Sequence, residues 1–421
     1  MPPSLVYQCS LCGAQYAVGE VEYVCPHHGD SGNLDILLDV ARVSRAATPA
    51  TIAASTDGSL WRYLPLLPVA DPGCAGTPLR AAGWTPLYHA QRLGAALGLA
   101  NVFVKDDGRN PTASFKDRAS AVVVARAREI DAAVVVTAST GNAGAALAGM
   151  AGAVGQPAVI FAPATAPAAK VAQLLIFGAR VLLVRGNYDQ AFELSLEAAR
   201  AFGWYCRNTG YNPFTLEGKK TASYEICEQL TAWRPPTGAG WAAPDRLFVS
   251  VGDGNIFAGL HKGLKDLAAL GWIDRMPKLM GVQAAGSAAV ANAWAAGTET
   301  ITPVAANTLA DSISVDLPRD GVRAVRAARE TDGAYLTVSD DEILAAIAAL
   351  GRHAAIFAEP AGATAYAGLV RAVQRGLVQS QETIVVLNTG SGLKDVKAAT
   401  RAAPAPTVIA PTLAALRAVM R

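Results

Sequence analysis

From residue 102 onward, short unbroken apolar runs alternate with helical patterns. The runs at 102–104, 133–137, 157–161, 180–184, 247–251, 279–284 and 383–387 are rich in Val, Ile, Leu, Ala and Phe and do not alternate with polar residues. Such runs predict strands of a parallel sheet covered on both faces. Helical patterns fall between and after them, at 119–130, 142–154, 167–177, 189–202, 216–233, 255–270, 340–350, 360–375 and 392–401. Two alternating sets predict an α/β protein of two lobes with mostly parallel sheets and a cleft between them. The expected division is a large lobe from residues 46–105 and 213–421, a small lobe from 106–212, and a separate N-terminal element at 1–45. Residues 298–322 have no clear period and read equally as a substrate-contacting loop or a plain connector.

Charge changes this picture little. With 36 basic and 34 acidic residues and a net charge of +2, nothing favours a nucleic acid or an anionic membrane surface as partner. No apolar run is long enough to span a bilayer, and the N-terminus lacks the charged-then-apolar pattern of a secretory signal, so a cytoplasmic protein is expected. Six cysteines are too few for a disulfide scaffold in a chain of 421 residues. Three of them cluster early. Cys9, Cys12, Cys25 and His28 have the paired spacing of a zinc ribbon and would supply three thiolates and one imidazole to a structural zinc ion. His27 is an equally placed imidazole, and four unrelated thiol and imidazole groups is the competing reading.

Four polar segments sit where strands end. The first, residues 105–118, runs from a strand through a turn-prone Gly108-Arg109-Asn110-Pro111 stretch to Lys116 and a helix. A lysine there can present its amine to a cleft, as a Schiff base with an aldehyde cofactor requires. The second, Ser139-Thr140-Gly141-Asn142, offers hydroxyls and unpaired N–H groups at a helix start, suited to a carboxylate; an ordinary helix cap is the alternative. The third, Gly252-Asp253-Gly254-Asn255-Ile256, is a glycine turn that fits a phosphate, with backbone donors doing the binding because the Asp253 carboxylate must point away. In the fourth, Thr389 places a neutral hydroxyl where it could meet an aromatic ring nitrogen. Each is ambiguous alone. Together they put an amine and two anion receptors at the carboxyl ends of strands, where open α/β sheets bind ligands.

These segments, in this order, resemble the threonine synthase family of fold type II, tryptophan-synthase-β-like pyridoxal-phosphate enzymes. The likeness rests on Asn110-Pro111-Thr112-Ala113-Ser114-Phe115-Lys116-Asp117-Arg118, on Ala138-Ser139-Thr140-Gly141-Asn142, on the glycine cup, and on Thr389-Gly390-Ser391-Gly392-Leu393-Lys394-Asp395, and spans roughly residues 75–400. It implies that Lys116 is the cofactor lysine and proton carrier, with Phe115 beside it. Asn142 would contact the cofactor's phenolic oxygen, Gly252, Asp253, Gly254, Asn255 and Ile256 its phosphate, and Thr389 its ring nitrogen. Ser139, Thr140 and Gly141 would hold the substrate carboxylate, and Lys105, Ser114 and Asp117 would lie near an acidic distal group. Two departures stand out. Ser391 replaces a usual histidine, and Ala113 replaces a usual glycine.

The resemblance implies a lyase acting in amino-acid biosynthesis: O-phosphohomoserine and water would give threonine and phosphate. Its rival is β-elimination or β-replacement on a related amino acid, as in a threonine or serine dehydratase or a cysteate synthase. A catalytically silent homologue is disfavoured by retention of Lys116, Asn142 and Thr389. The expected partners are pyridoxal 5'-phosphate, a small and phosphorylated amino-acid substrate, structural zinc and a second copy of the chain in a homodimer.

Overall fold

A computed structural model describes residues 5–236 and 238–420. At the N-terminus, β1 (Val6–Cys9), β2 (Gln15–Ala17) and β3 (Leu34–Ile36) form a small antiparallel sheet in the order β2-β1-β3. The chain then enters a larger sheet with β4 (Leu87–His89) and β5 (Asn101–Asp106). It leaves to build a second sheet from β6 (Val135–Ala138), β7 (Ala158–Pro163), β8 (Arg180–Val184) and β9 (Tyr205–Cys206), and returns with β10 (Arg246–Ser250), β11 (Lys278–Ala284), β12 (Ala334–Val338) and β13 (Thr383–Asn388).

The larger sheet has the order β12-β11-β10-β13-β5-β4 and the smaller one β8-β7-β6-β9. All pairings in them are parallel except β4 on β5. Continuous apolar strands are what such a doubly covered sheet requires, and β6, β10 and β13 are buried along almost their whole length. The edge strands β4 and β12, and the helices Ala289–Ala295 and Gly321–Glu330, fall outside the elements expected from the pattern. Both strands are short and lie at sheet margins, where one half-solvated side removes the continuous apolar signature. The helix after the first polar segment also begins earlier than expected. It runs Lys116–Glu129, so Lys116 is its first residue and not part of the preceding loop.

The helix Phe214–Thr231 departs most from its pattern. A helix so rich in polar residues ordinarily turns them to solvent, yet Glu217, Lys219, Lys220 and Glu225 are all at most 1% exposed. Charges buried this deeply must be paired. Lys220 reaches Glu217 at 2.6 Å and Asp266 at 2.9 Å, and Lys262 reaches Glu217 at 3.0 Å. Glu225 receives the Lys105 amine at 2.7 Å, the Arg118 guanidinium, and the Trp84 and Thr85 N–H groups. Arg118 turns its other edge to Asp107 at 2.6 Å.

This cluster ties β5, the Lys116 helix and the central helix together, and it predicts its own cost of removal. Glu225→Gln leaves two buried cations short of a counter-charge and is expected to lose about 3 kcal/mol of unfolding free energy in urea titrations. Burial alone would raise the Glu225 carboxyl, but the Arg118 and Lys105 charges outweigh it and lower it from 4.5 to about 2. A depressed acid stabilises the fold above its unfolded value and loses that contribution as pH falls. The wild type should therefore lose stability between about pH 4.5 and 2 more steeply than Glu225→Gln.

Candidate active site

The carboxyl ends of β6, β10 and β13 and the start of the Lys116 helix surround one cavity of about 710 Å3. That is the size range of small-molecule sites. Lys116 lies half-buried on its wall. Burial lowers the amine, the Arg207 charge adds to this, and Glu359 and Asp253 oppose it. An amine pulled below its ordinary value is closer to the neutral, nucleophilic form. The loop delivering Lys116 is stitched to the segment after β13. The Phe115 N–H donates to the Thr389 carbonyl at 2.9 Å, Ser114 bridges to Gly390, and the Ser391 N–H donates to the Ala113 carbonyl at 3.0 Å. Ala113 sits at φ 65°, a left-handed conformation that costs a residue with a Cβ about 1 kcal/mol. The turn is built for glycine but carries alanine.

Two anion receptors face this amine. Ser139, Thr140, Gly141 and Asn142 line the cavity at the start of the helix Asn142–Gly152. Opposite, Gly252, Asp253, Gly254, Asn255 and Ile256 line it at the start of the helix Asn255–Ala269. Gly254 has φ 92°, and a Cβ there would stand 2.6 Å from the Asp320 carbonyl oxygen, so no other residue fits. The Asp253 carboxylate accepts the Arg319 N–H at 2.6 Å, which turns it away from the cup. Thr389 also lines the cavity.

Three cavity residues escaped the sequence reading. Glu359, just before Pro360 at a helix start, accepts the Asn142 amide at 2.8 Å, and burial pushes its carboxyl up to about 7. Arg207 is fully buried at the end of β9; it donates to Ser120 at 3.1 Å and Thr209 at 2.8 Å, while its Nη2 has no partner among the described residues. Lys219 projects from the central helix to the Asn255 side-chain oxygen. Arg207 follows a two-residue strand that no apolar run marks, Lys219 falls inside a helical pattern, and Glu359 precedes a helix-start proline. The loop 306–319 also contributes to the wall, through Asp311, Ser312, Ile313 and Arg319 among others.

Four predicted site residues lie off the cavity wall. Lys105 is the buried partner of Glu225 and also donates to the Thr85 carbonyl at 2.6 Å. Asp117 accepts the Thr112 N–H at 2.6 Å and the Thr112 hydroxyl. Ser114 is fully buried, and Phe115 packs into the core with Ala222 and Val249. Lys105 and Asp117 spend their polar atoms inside the protein, whereas the buried Ser114 hydroxyl has no partner among the described residues.

In the N-terminal element, ligand atoms of Cys9, Cys12, Cys25 and His28 all lie within 4.8 Å of one another. Cys12 and Cys25 sulfurs are 3.9 Å apart, and His28 Nδ1 is 3.6 Å from Cys25 and 3.8 Å from Cys9. Tetrahedral zinc with bonds of about 2.3 Å sets its ligands roughly 3.7 Å apart. The donor set therefore suits zinc, and His28, not His27, completes it.

The profile of the family described as "Pyridoxal-phosphate dependent enzyme" matches residues 79–390. The chain belongs to this family. It is 35% identical to threonine synthase of Methanocaldococcus jannaschii over 419 residues, covering 99% of this chain and 100% of that protein. Against threonine synthase of Methanosarcina acetivorans it is 37% identical, covering 97% of each. Among solved structures, the processed form of threonine deaminase isoform 2 from Solanum lycopersicum superposes with a TM-score of 0.65 at 24% identity, over 78% of this chain and 86% of that one. At that identity the superposition speaks for the fold type II architecture alone. The residues fit the family's cofactor: a poised amine, a cup whose glycine cannot be replaced, and a neutral hydroxyl at Thr389 all line one cavity.

Glu359 gives this pyridoxal-phosphate family member a measurable pH signature. Its carboxyl is raised from 4.5 to about 7, so its favourable contribution is fully present below 4.5 and is lost as pH rises through 7. In the cofactor-free protein, Glu359→Gln should gain thermal stability relative to wild type above about pH 7 and show little gain near pH 4.5.

Proposed function

We propose that this chain is a threonine synthase, converting O-phosphohomoserine and water to threonine and phosphate. One observation favours this over a dehydratase acting on serine or threonine. Besides the glycine cup and the Ser139–Asn142 turn, the cavity wall carries the fully buried Arg207 with an uncommitted guanidinium nitrogen. A buried cation with a free donor calls for a third anionic group, which a phosphorylated substrate has and serine lacks. The near-complete coverage of relatives named threonine synthase points the same way.

Pyridoxal phosphate would be held by Lys116, the Gly252–Ile256 cup, Asn142 and Thr389, and when bound it supplies the electron sink that lets protons leave Cα and Cβ. Lys116 then moves protons between substrate carbons, a role suited to an amine whose pKa is lowered by burial. Ser139, Thr140 and Gly141 orient the carboxylate through helix-start donors. Thr389 would offer the ring nitrogen a neutral hydroxyl, which does not enforce ring protonation and so would suit elimination and replacement better than transamination. Arg207 steadies the departing phosphate. Cys9, Cys12, Cys25 and His28 hold a structural zinc ion, and the working form is a homodimer in the cytoplasm.

The deciding assay supplies the cofactor-loaded protein with O-phosphohomoserine, phosphoserine, serine and threonine in turn, and measures phosphate and amino-acid products. Threonine and phosphate in equal amounts are expected from the first alone. Conversion of threonine to a 2-oxo acid with no phosphate chemistry would sink the proposal. Arg207→Met should lower kcat/KM for the phosphorylated substrate on the order of 100-fold. For zinc, metal analysis should find one equivalent per chain, and its removal by a chelator should lower the melting temperature.

A further inference from the structure

The cofactor phosphate would ordinarily be assigned to the backbone donors of the glycine cup alone. Lys219 changes that assignment. It is fully buried, it lines the cavity, and its amine donates to the side-chain oxygen of Asn255, the first residue of the helix that opens the cup. The route of its side chain is set by helix packing. A Cβ on Gly259 would stand 2.7 Å from the Lys219 Cβ, so the two helices meet closely there and the lysine runs along Asn255–Ala269 towards its first turn. A cation at the positive end of a helix is unfavourable unless an anion shares the place.

No carboxylate does so among the described residues. Lys220 and Lys262, neighbours in the same packing, have Glu217 and Asp266. The two acids nearest in charge to Lys219 are otherwise engaged: Asp253 caps the Arg319 N–H, and Asp320 holds Arg323, Asn33 and the Asn255 amide. Burial, with Lys116 and Arg207 close by, drives the Lys219 amine well below its ordinary value. Such a group is a buried amine lacking the anion that would let it hold its charge. We propose that Lys219 is the charged partner of the cofactor phosphate, reaching it beside Asn255. This rests on the pyridoxal-phosphate reading of the cleft and adds to it a side chain on which phosphate recognition depends.

The test compares cofactor-free wild type with Lys219→Gln and Lys219→Met. Lys219→Gln can keep the hydrogen bond to Asn255 and loses only the charge. Each is titrated with pyridoxal phosphate and with unphosphorylated pyridoxal, following the visible absorption of the lysine-bound aldehyde. Both variants should bind pyridoxal phosphate on the order of 10- to 100-fold more weakly, with pyridoxal affinity unchanged. Cofactor-free Lys219→Met should melt at or above the wild-type temperature, because a buried amine without its anion is gone. Unchanged affinity for pyridoxal phosphate, or equal weakening towards both aldehydes, overturns the proposal. A cofactor-free Lys219→Met that melts well below wild type with pyridoxal-phosphate affinity intact assigns Lys219 a purely structural role. A wild-type chain that takes up neither aldehyde removes the cofactor reading itself, a failure separate from that of Lys219.

Discussion

The Glu225 carboxylate is the constraint on which the rest of the cleft depends. It lies in the middle of the central helix and accepts from Lys105 on β5, Arg118 on the Lys116 helix, and the Trp84 and Thr85 N–H groups of the approach segment. Three chain segments converge on one fully buried side chain of a fourth. Arg118 stands two residues after Lys116, so fixing its guanidinium between Glu225 and Asp107 fixes the first turn that aims the reactive amine. An amine must be held to within a fraction of an ångström to react well, and a buried bidentate pair is stiff enough to hold it. The cost of desolvating so many charges is met by completing the set, since half of it would be worse than none.

How legible this was in the sequence follows from what local pattern can encode. The strands that carry the site were readable because doubly buried parallel strands are continuous apolar runs, and the turns after β6, β10 and β13 were readable because each marks its strand end with glycine and hydroxyl residues. The helix Phe214–Thr231 was readable as a helix, but the burial of its charges was not, for an equally local reason. A lysine facing solvent and a lysine facing a buried glutamate look alike until the partner is known: the partner of Lys105 lies 120 positions away, and Lys220 adds to its neighbour Glu217 a second partner, Asp266, 46 positions away. The resemblance sets Lys105 and Asp117 near the substrate; in the fold their polar atoms meet Glu225 and Thr112. The same blindness to partners hid Arg207, Lys219 and Glu359, whose importance comes only from which cavity they enter.

Ala113 and Ser391, the two departures from the family's pattern, meet in space. The Ser391 N–H donates to the Ala113 carbonyl, and the Ser391 hydroxyl accepts from the Leu393 N–H. Neither lines the cavity. Ser391 therefore caps a turn that holds the Lys116 loop from behind, a task for which a hydroxyl suffices. The cavity wall is made by other residues, Arg207 among them.

The N-terminal element is joined to this machinery by polar contacts. Asn33, beside β3, donates to Asp320 at 3.2 Å, Asp320 accepts the Asn255 amide at 2.7 Å, and Asn255 accepts from Lys219. On the other flank, the Tyr23 hydroxyl accepts the Cys206 N–H at 2.9 Å, one residue before Arg207. The ribbon thus braces the phosphate cup from behind and the end of β9 from the side. Three-stranded antiparallel sheets of this size have little core of their own. Whatever closes the Cys9, Cys12, Cys25 and His28 cluster would stiffen Asn33 and Tyr23, and through them the two cationic residues that face the cleft. In this arrangement the ribbon is part of the active-site scaffold although, among the described residues, none of its side chains lines the cavity.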